Sequence, residues 1–317
     1  MERTLTMDTL YIYQKQVTLS IRQGRLLINT PEQSQSVALK RLKQIVICQP
    51  VDINTSLLHG LVKADIHVHL YHAHTQVTSV SVTPEPTAHV LRRQGQYLAM
   101  SHAADNLRLV RILILYKLHR QRHWLKTMGA DSHASRVSVL TDRLKASRPL
   151  RYEELLNCEA LGAKQVYQAM TALVPSAFHF SGRNRRPPKD PVNAMLSLGA
   201  AFLYQLAHKA LSEKGMDAYA GFLHKPSAGR ASLACDLVDC LRPDLEHFVM
   251  QRVLNKTIQV THFDWQKGQH CELNRQGQAA WFHQWHPFSK AAEKRMRYIS
   301  LKWATAAESY RVNRSGA

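Results

Sequence analysis

The sequence predicts an α+β protein in which a small N-terminal β-rich domain precedes a larger all-helical one. Two periodicities and the break between them carry that prediction. Up to residue 82 apolar residues alternate in short runs, as strands require, and beyond residue 88 they recur every three or four residues, as helices require. Between the two regimes lies Thr83-Pro84-Glu85-Pro86-Thr87, whose two closely spaced prolines read as a linker. The domain boundaries drawn on this basis are 1–85 and 86–317.

Element by element, the strand pattern comprises Leu10 and Ile12, then Val17, Leu19 and Ile21. A turn at Gln23-Gly24 leads to Leu26 and Ile28, followed later by Ile45 to Cys48, Ile66 to Leu70 and Val77 to Val82. One helix, capped by Thr55 or Ser56 and running through Leu57, Leu58 and Leu61, interrupts the strands. In the second region Leu107, Val110, Ile114 and Leu118 mark a buried helical stripe. Helices continue to the end, with breaks at Gly129, Pro149, 181–190 and Gly215.

Charge narrows the partner class. The 317 residues carry 42 Lys and Arg against 23 Asp and Glu, a net charge of +19, which points to a polyanion. The 45% hydrophobic content is that of a globular chain and excludes a disordered one. Residues 1–87 contain eight bases and six acids, so nearly all the excess falls on the helical region. The most apolar stretch, Leu109 to Tyr116, is broken by Arg111 and far shorter than the roughly 18 residues that span a bilayer. With no apolar export segment after MERTLTMDTLYIY, the expectation is a cytoplasmic protein with no membrane partner. Five scattered cysteines without a Cys-x-x-Cys pair are expected as reduced, mostly buried thiols.

Four segments carry candidate chemistry. In Asp65-Ile66-His67-Val68-His69, followed by His72 and His74, alternation puts His67 and His69 on one strand face, read here as the solvated polar face of an antiparallel sheet and not as a metal site. In the helix 151–173 the stripe Leu156, Glu159, Ala163, Val166, Met170 places a carboxylate on an apolar face. That calls for either an ion pair with one of the many arginines or a site. From Gly221, a loop bearing His224 precedes a helix bearing Asp236 and Asp239. Carboxylates three residues apart on a helix repel unless a cation or a shared proton lies between them, and with a neutral imidazole they make a ligand set for a divalent ion. Finally, Ser181 to Asp190 is a basic loop stiffened by Pro187 and Pro188, suited to bidentate phosphate contacts or to solvation alone. Lys290, Lys294, Arg295, Arg297 and Lys302 could extend a phosphate track.

Glu159 followed eight residues later by Tyr167, RRPPKDPVNAMLSLG from Arg185 to Gly199, and GFLH with GRASLACDLVDCLRP resemble, in this order, the CRISPR-associated adaptation integrase family. The resemblance implies an endonuclease and integrase that joins prespacer 3′-OH ends to the CRISPR repeat by transesterification. It implies Glu159, His224 and Asp239 as ligands of one Mg²⁺ or Mn²⁺, with Asp236 in support and the choice between Asp236 and Asp239 as direct ligand left open. Tyr167, Arg183, Arg185, Arg186, Asn193, Lys225 and Arg230 are expected to bind DNA or to shape the site. Implied partners are double-stranded DNA (prespacer, repeat and leader), a second copy docked through residues 1–85, and a small ferredoxin-like adaptation protein. A separate reverse transcriptase stays open. The rival readings are a general metal-dependent repair nuclease acting on branched DNA and a catalytically silent DNA-binding scaffold.

Overall fold

The computed structural model describes residues 9–70, 80–82, 89–146, 151–184, 187–266 and 270–312. The linker at 83–87, the boundary at 85/86, Pro149, and His72 and His74 lie outside the described residues. The chain divides into two units, Met1–Thr87 with Trp285–Lys290, and Ala88–Gln284 with Ala291–Ala317.

The first unit contains β1 (Thr9–Ile12), β2 (Thr18–Arg22), β3 (Arg25–Asn29), β4 (Ser34–Ala38), β5 (Gln44–Ile47), α1 (Thr55–Lys63), β6 (His67–Leu70) and β7 (Val80–Val82). β2, β3 and β4 form an antiparallel sheet. The first turn uses Gln23 at φ 50° and Gly24 at φ 69°, the paired left-handed residues of a tight two-residue hairpin. The second sheet has the order β1-β5-β6-β7 and is mixed, with β1-β5 and β5-β6 parallel and only β6-β7 antiparallel. α1 starts one or two residues earlier than expected, because Asn54, not Thr55 or Ser56, supplies the cap: its Oδ1 accepts from the Leu57 N–H at 2.8 Å.

The mixed pairing corrects the reading of His67 and His69. Register aligns Leu10, Ile45 and Val68 on one face, and Thr9, Gln44 and His67 on the other. Both faces are covered: His67 is 8% exposed and His69 fully buried, so their face is not solvated. Parallel strands require cover on both sides. Part of that cover comes from 285–290 of the same unit, where Trp285 Nε1 donates to the Tyr11 hydroxyl at 3.1 Å.

The second unit is helical apart from the two-residue strands β8 (Phe263–Asp264) and β9 (Glu272–Leu273). Its helices are α2 (Val90–Ser101), α3 (Ala103–Thr127), α4 (Asp131–Lys145), α5 (Tyr152–Leu173), α6 (Pro191–Glu213), α7 (Ser232–Leu254) and the parts of α8 (Arg275–Val312) outside 285–290. α3 packs against α4, α5 and α7, and α6 packs against α7. α7 is buried on nearly every side, with Leu233, Leu237, Leu241, Leu245 and Val249 all in the core. The same helix buries Asp236, Asp239 and Glu246, and charged groups in such surroundings need partners. All five cysteines are free, and Cys158, Cys240 and Cys271 are buried. Among the described residues no helix is long and apolar enough to cross a membrane.

Candidate functional site

The site lies within the second unit, where α3, α5, α7 and the loop before α7 bring their charges together. The expected stripe of α5 is rotated: Leu155, Cys158, Gly162, Val166 and Met170 are buried while Leu156 is 37% exposed. Glu159 therefore stands at the margin of the packed face, half-buried, with its carboxylate turned toward Lys117 of α3. Gly162, one turn further on, admits this approach, since a Cβ there would meet Leu118 and Gln121 of α3 below 3 Å. Lys117 Nζ donates both to Glu159 Oε1 and, at 3.1 Å, to Asp239 Oδ2 on α7. The other Asp239 oxygen accepts from Arg242 Nε at 2.7 Å, one helical turn along α7.

These contacts decide the protonation states. Burial works to raise the Asp239 carboxyl pKa, but Lys117 and Arg242 overcome it and hold the group well below the usual carboxylate range. Burial likewise works against the Lys117 ammonium, and Asp239 and Glu159 reverse that, so Lys117 stays charged. Pro243 has no N–H to donate to the Asp239 carbonyl, four residues back in α7.

Asp236 has a different task. Its Oδ2 accepts from the N–H groups of Phe222 (2.7 Å) and Leu223 (3.0 Å), and its Oδ1 accepts from the His224 N–H (2.9 Å) and from His224 Nδ1 (2.7 Å). An ionised carboxylate can only accept, so Nδ1 donates to Asp236, and in a neutral imidazole Nε2 then presents its lone pair. Among the described residues nothing bonds Nε2. The loop is fastened at further points: Tyr152 donates to the Leu223 carbonyl at 2.6 Å, Ser232 Oγ to the Lys225 carbonyl at 3.0 Å, and Arg230 to the same carbonyl. Gly221 permits the tight return, because a Cβ would lie 2.5 Å from the His224 carbonyl. Lys225 is exposed, its ammonium 5.5 Å above the Tyr152 ring.

A second layer lies along α7. Tyr167 donates to Glu246 Oε1 at 3.0 Å. Burial raises the Glu246 pKa to about 7, against the opposing pull of Arg242 and Lys117 and with help from Asp239. Asn193 is fully buried and braces the basic loop: its Nδ2 donates to the Gly182 carbonyl and to the Asp190 carboxylate, while its Oδ1 accepts from Arg183 and from the Asn184 N–H. Arg183 also donates to Ser197 Oγ at 3.2 Å, so its guanidinium ties the loop to α6. Arg185 and Arg186 lie outside the described residues. On α8, Arg295 pairs with Asp244 and Arg297 with Glu213.

With this geometry in hand, likeness to known proteins has physical content. The chain matches the family described as "CRISPR associated protein Cas1" over residues 10–287. It belongs to the Cas1 family. A protein of Thermus thermophilus named CRISPR-associated endonuclease Cas1 3 is 29% identical over 262 residues, 81% of this chain and 78% of its own length. Among solved structures, a Cas1 protein from Thermotoga maritima aligns over 96% of this chain and 97% of its own, at TM-score 0.81 and 19% identity. A casposase bound to integration product covers 94% of this chain and 91% of its own at TM-score 0.79 and 19% identity. A Cas6-RT-Cas1–Cas2 complex matches at TM-score 0.81 and 19% identity, with 96% of this chain on 35% of that one. At these identities the three structures show the shared Cas1 fold alone.

Among the described residues no three His, Cys, Asp or Glu side chains close into a group able to hold an ion, and the cation shared by Glu159 and Asp239 is the Lys117 ammonium. The chemistry of the donors nonetheless fits a divalent ion. Two carboxylates already share a cation, and the His224 imidazole, held through Nδ1 by a buried carboxylate of α7, has a second nitrogen that nothing bonds among the described residues. The two aspartates differ in exposure: the Asp236 side chain is fully buried and its oxygens are taken up by donors, whereas Asp239 keeps 12% of its side chain open. Sequence reasoning missed Lys117, Arg242, Glu246 and Tyr152. Lys117 had a signal, falling three residues after Ile114 on the predicted apolar stripe of α3. Arg242 and Glu246 had one too, lying one and two turns beyond Asp239 on the helix that carries the predicted acids.

Asp236→Asn turns an amide toward N–H donors and leaves at least one of them without an acceptor. Chemical denaturation should show a loss on the order of 2–3 kcal/mol, and an unchanged midpoint would contradict the role given to Asp236. Glu246 sets a pH dependence. Its folded pKa of about 7 lies above the ordinary carboxylate value, so the folded state binds the extra proton and stability falls as pH rises from about 4.5 to 7. In EDTA, Glu246→Gln should flatten that stretch of the profile by up to about 3 kcal/mol, the equivalent of the raised pKa. Superimposable wild-type and variant profiles would show that Glu246 does not titrate there.

Proposed function

We propose that this Cas1-family chain is a CRISPR adaptation integrase, a divalent-metal-dependent DNA endonuclease that joins prespacer 3′-OH ends to the CRISPR repeat. The observation that carries the reading is the meeting, in one helical unit, of Glu159 and Asp239 around a shared cation with His224 fixed through Nδ1 by Asp236. Likeness to relatives named as endonucleases and to a casposase bound to integration product supports it. Glu159, Asp239 and His224 Nε2 would hold Mg²⁺ or Mn²⁺. Bound there, the ion would offset charge on the non-bridging phosphate oxygens and activate the attacking hydroxyl.

The protein's own groups do the rest. Arg242 keeps Asp239 ionised, and Asp236 fixes the tautomer and aim of His224. Exposed bases, Lys225 among them, meet the phosphate backbone. In the reaction the 3′-oxygen of the incoming end forms a new bond to the repeat phosphorus as the bond to the departing 3′-oxygen breaks. The number of phosphodiester bonds is conserved and no protein intermediate forms. Water in place of the 3′-hydroxyl gives a nick, the endonuclease outcome.

As partners the reading takes prespacer and repeat duplexes, a second copy of the chain through residues 1–85, and the small ferredoxin-like adaptation protein, for which the Cas6-RT-Cas1–Cas2 likeness is the support. A cytoplasmic location belongs to the same reading.

The test incubates the full chain and its small partner with a short duplex and a supercoiled, repeat-bearing plasmid in Mn²⁺ or Mg²⁺. Half-site insertion products are expected, abolished by EDTA, by Glu159→Ala and by His224→Ala. Nicks without joined ends favour the repair nuclease, and variants as active as wild type overturn the site. DNA affinity should fall by orders of magnitude between about 50 and 200 mM salt if six or more phosphates are neutralised; a flat response contradicts the electrostatic part.

A further inference from the structure

Lys117 is a buried charged side chain, bonded twice, to which the proposed reaction gives no role. Lys117 is 4% exposed, yet its ammonium donates to Glu159 on α5 and to Asp239 on α7, the two carboxylates assigned above to the metal. Arg242 holds the other oxygen of Asp239. Two bases thus face two acids, and this part of the site is charge-balanced by protein groups alone. A divalent ion needs anionic oxygens at short range, and the oxygens it would claim are those to which Lys117 Nζ donates.

We infer that Lys117 is a resident counter-cation, which holds the Glu159 and Asp239 carboxylates together in the metal-free protein and competes with the divalent ion for them, so that it sets the metal affinity of the site. The inference rests on the metal reading given under the proposed function. It separates two roles that a single cation would otherwise combine. The ammonium keeps α3, α5 and α7 joined at their charged point, since removing it leaves the Glu159 carboxylate without its bonded partner and Asp239 with Arg242 alone. The same ammonium must yield at least one carboxylate oxygen before an ion can bind, which weakens metal affinity by the free energy of that contact. Being one compact charge on a flexible stem, lysine can give way and remain nearby, whereas a guanidinium with fixed, forked donors would hold the acids more firmly.

The experiment uses the full chain as wild type, Lys117→Met and Lys117→Arg. Mn²⁺ affinity is read from the free-ion electron paramagnetic resonance signal, and melting temperature is measured in EDTA and in saturating Mn²⁺. Lys117→Met should bind Mn²⁺ at least about tenfold more tightly than wild type, melt lower in EDTA, and gain more from Mn²⁺. Lys117→Arg should melt near wild type in EDTA and bind Mn²⁺ no more tightly than wild type. A methionine variant that folds only with Mn²⁺ also supports the inference, because the ion then replaces the missing charge. Equal or weaker Mn²⁺ binding by Lys117→Met overturns it, as does an arginine variant that behaves like the methionine one. A methionine variant unfolded in both conditions overturns the claim that ion and ammonium substitute for each other. A wild type that binds no Mn²⁺ overturns the metal reading itself, a result distinct from equal affinities in the two proteins.

Discussion

Three helices meet at one ammonium. Lys117 on α3 bridges Glu159 on α5 and Asp239 on α7. The constraint behind it is burial: α7 runs through the centre of its unit and cannot hold carboxylates there unless each has a partner. Asp239 finds Lys117 and Arg242, Asp236 finds three backbone N–H groups and an imidazole, and Glu246 finds a tyrosine hydroxyl and a proton affinity near neutrality. One helix thus carries three buried acids, each with a different set of partners.

This division of labour matters for chemistry on phosphodiesters. A group that is to hold a cation must keep oxygens within reach of one, as Asp239 and Glu159 do. A group that is to aim an imidazole must be immobile, as Asp236 is, with its side chain fully buried and its oxygens taken up by the turn from Phe222 to His224. The basic loop before α6 follows the same logic at lower cost in charge: a buried asparagine rather than an ion pair sets its path, leaving Arg183 to tie loop and helix together.

Much of this was legible in the residue order. The change of period near residue 85 separates strands from helices because burial on one face leaves a two-residue or a 3.6-residue trace, and both traces are clean here. The Asp236 and Asp239 pair and the loop histidine stand out in the sequence by the cost of holding two acids on one helix face. What sequence could not supply was pairing between distant elements. Parallel pairing of β1, β5 and β6 depends on crossovers that leave no local trace, and for that reason alternation alone puts His67 and His69 in solvent when they are covered. Leu156 and Leu155 differ by a 100° rotation on α5, which apolar spacing resolves poorly when both neighbours are leucine. Lys117 stood on a visible apolar stripe, but its two partners lie 42 and 122 residues further along the chain.

The central claim is that the carboxylates now joined by Lys117 are the ligands of a catalytic divalent ion. The most direct measurement is anomalous scattering from crystals of the full chain soaked in Mn²⁺. The account predicts one peak bonded to Glu159, Asp239 and His224 Nε2, with Lys117 Nζ no longer bonded to both acids. Crystals with no peak at these residues, or with an ion elsewhere while Lys117 still bridges Glu159 and Asp239, would contradict it.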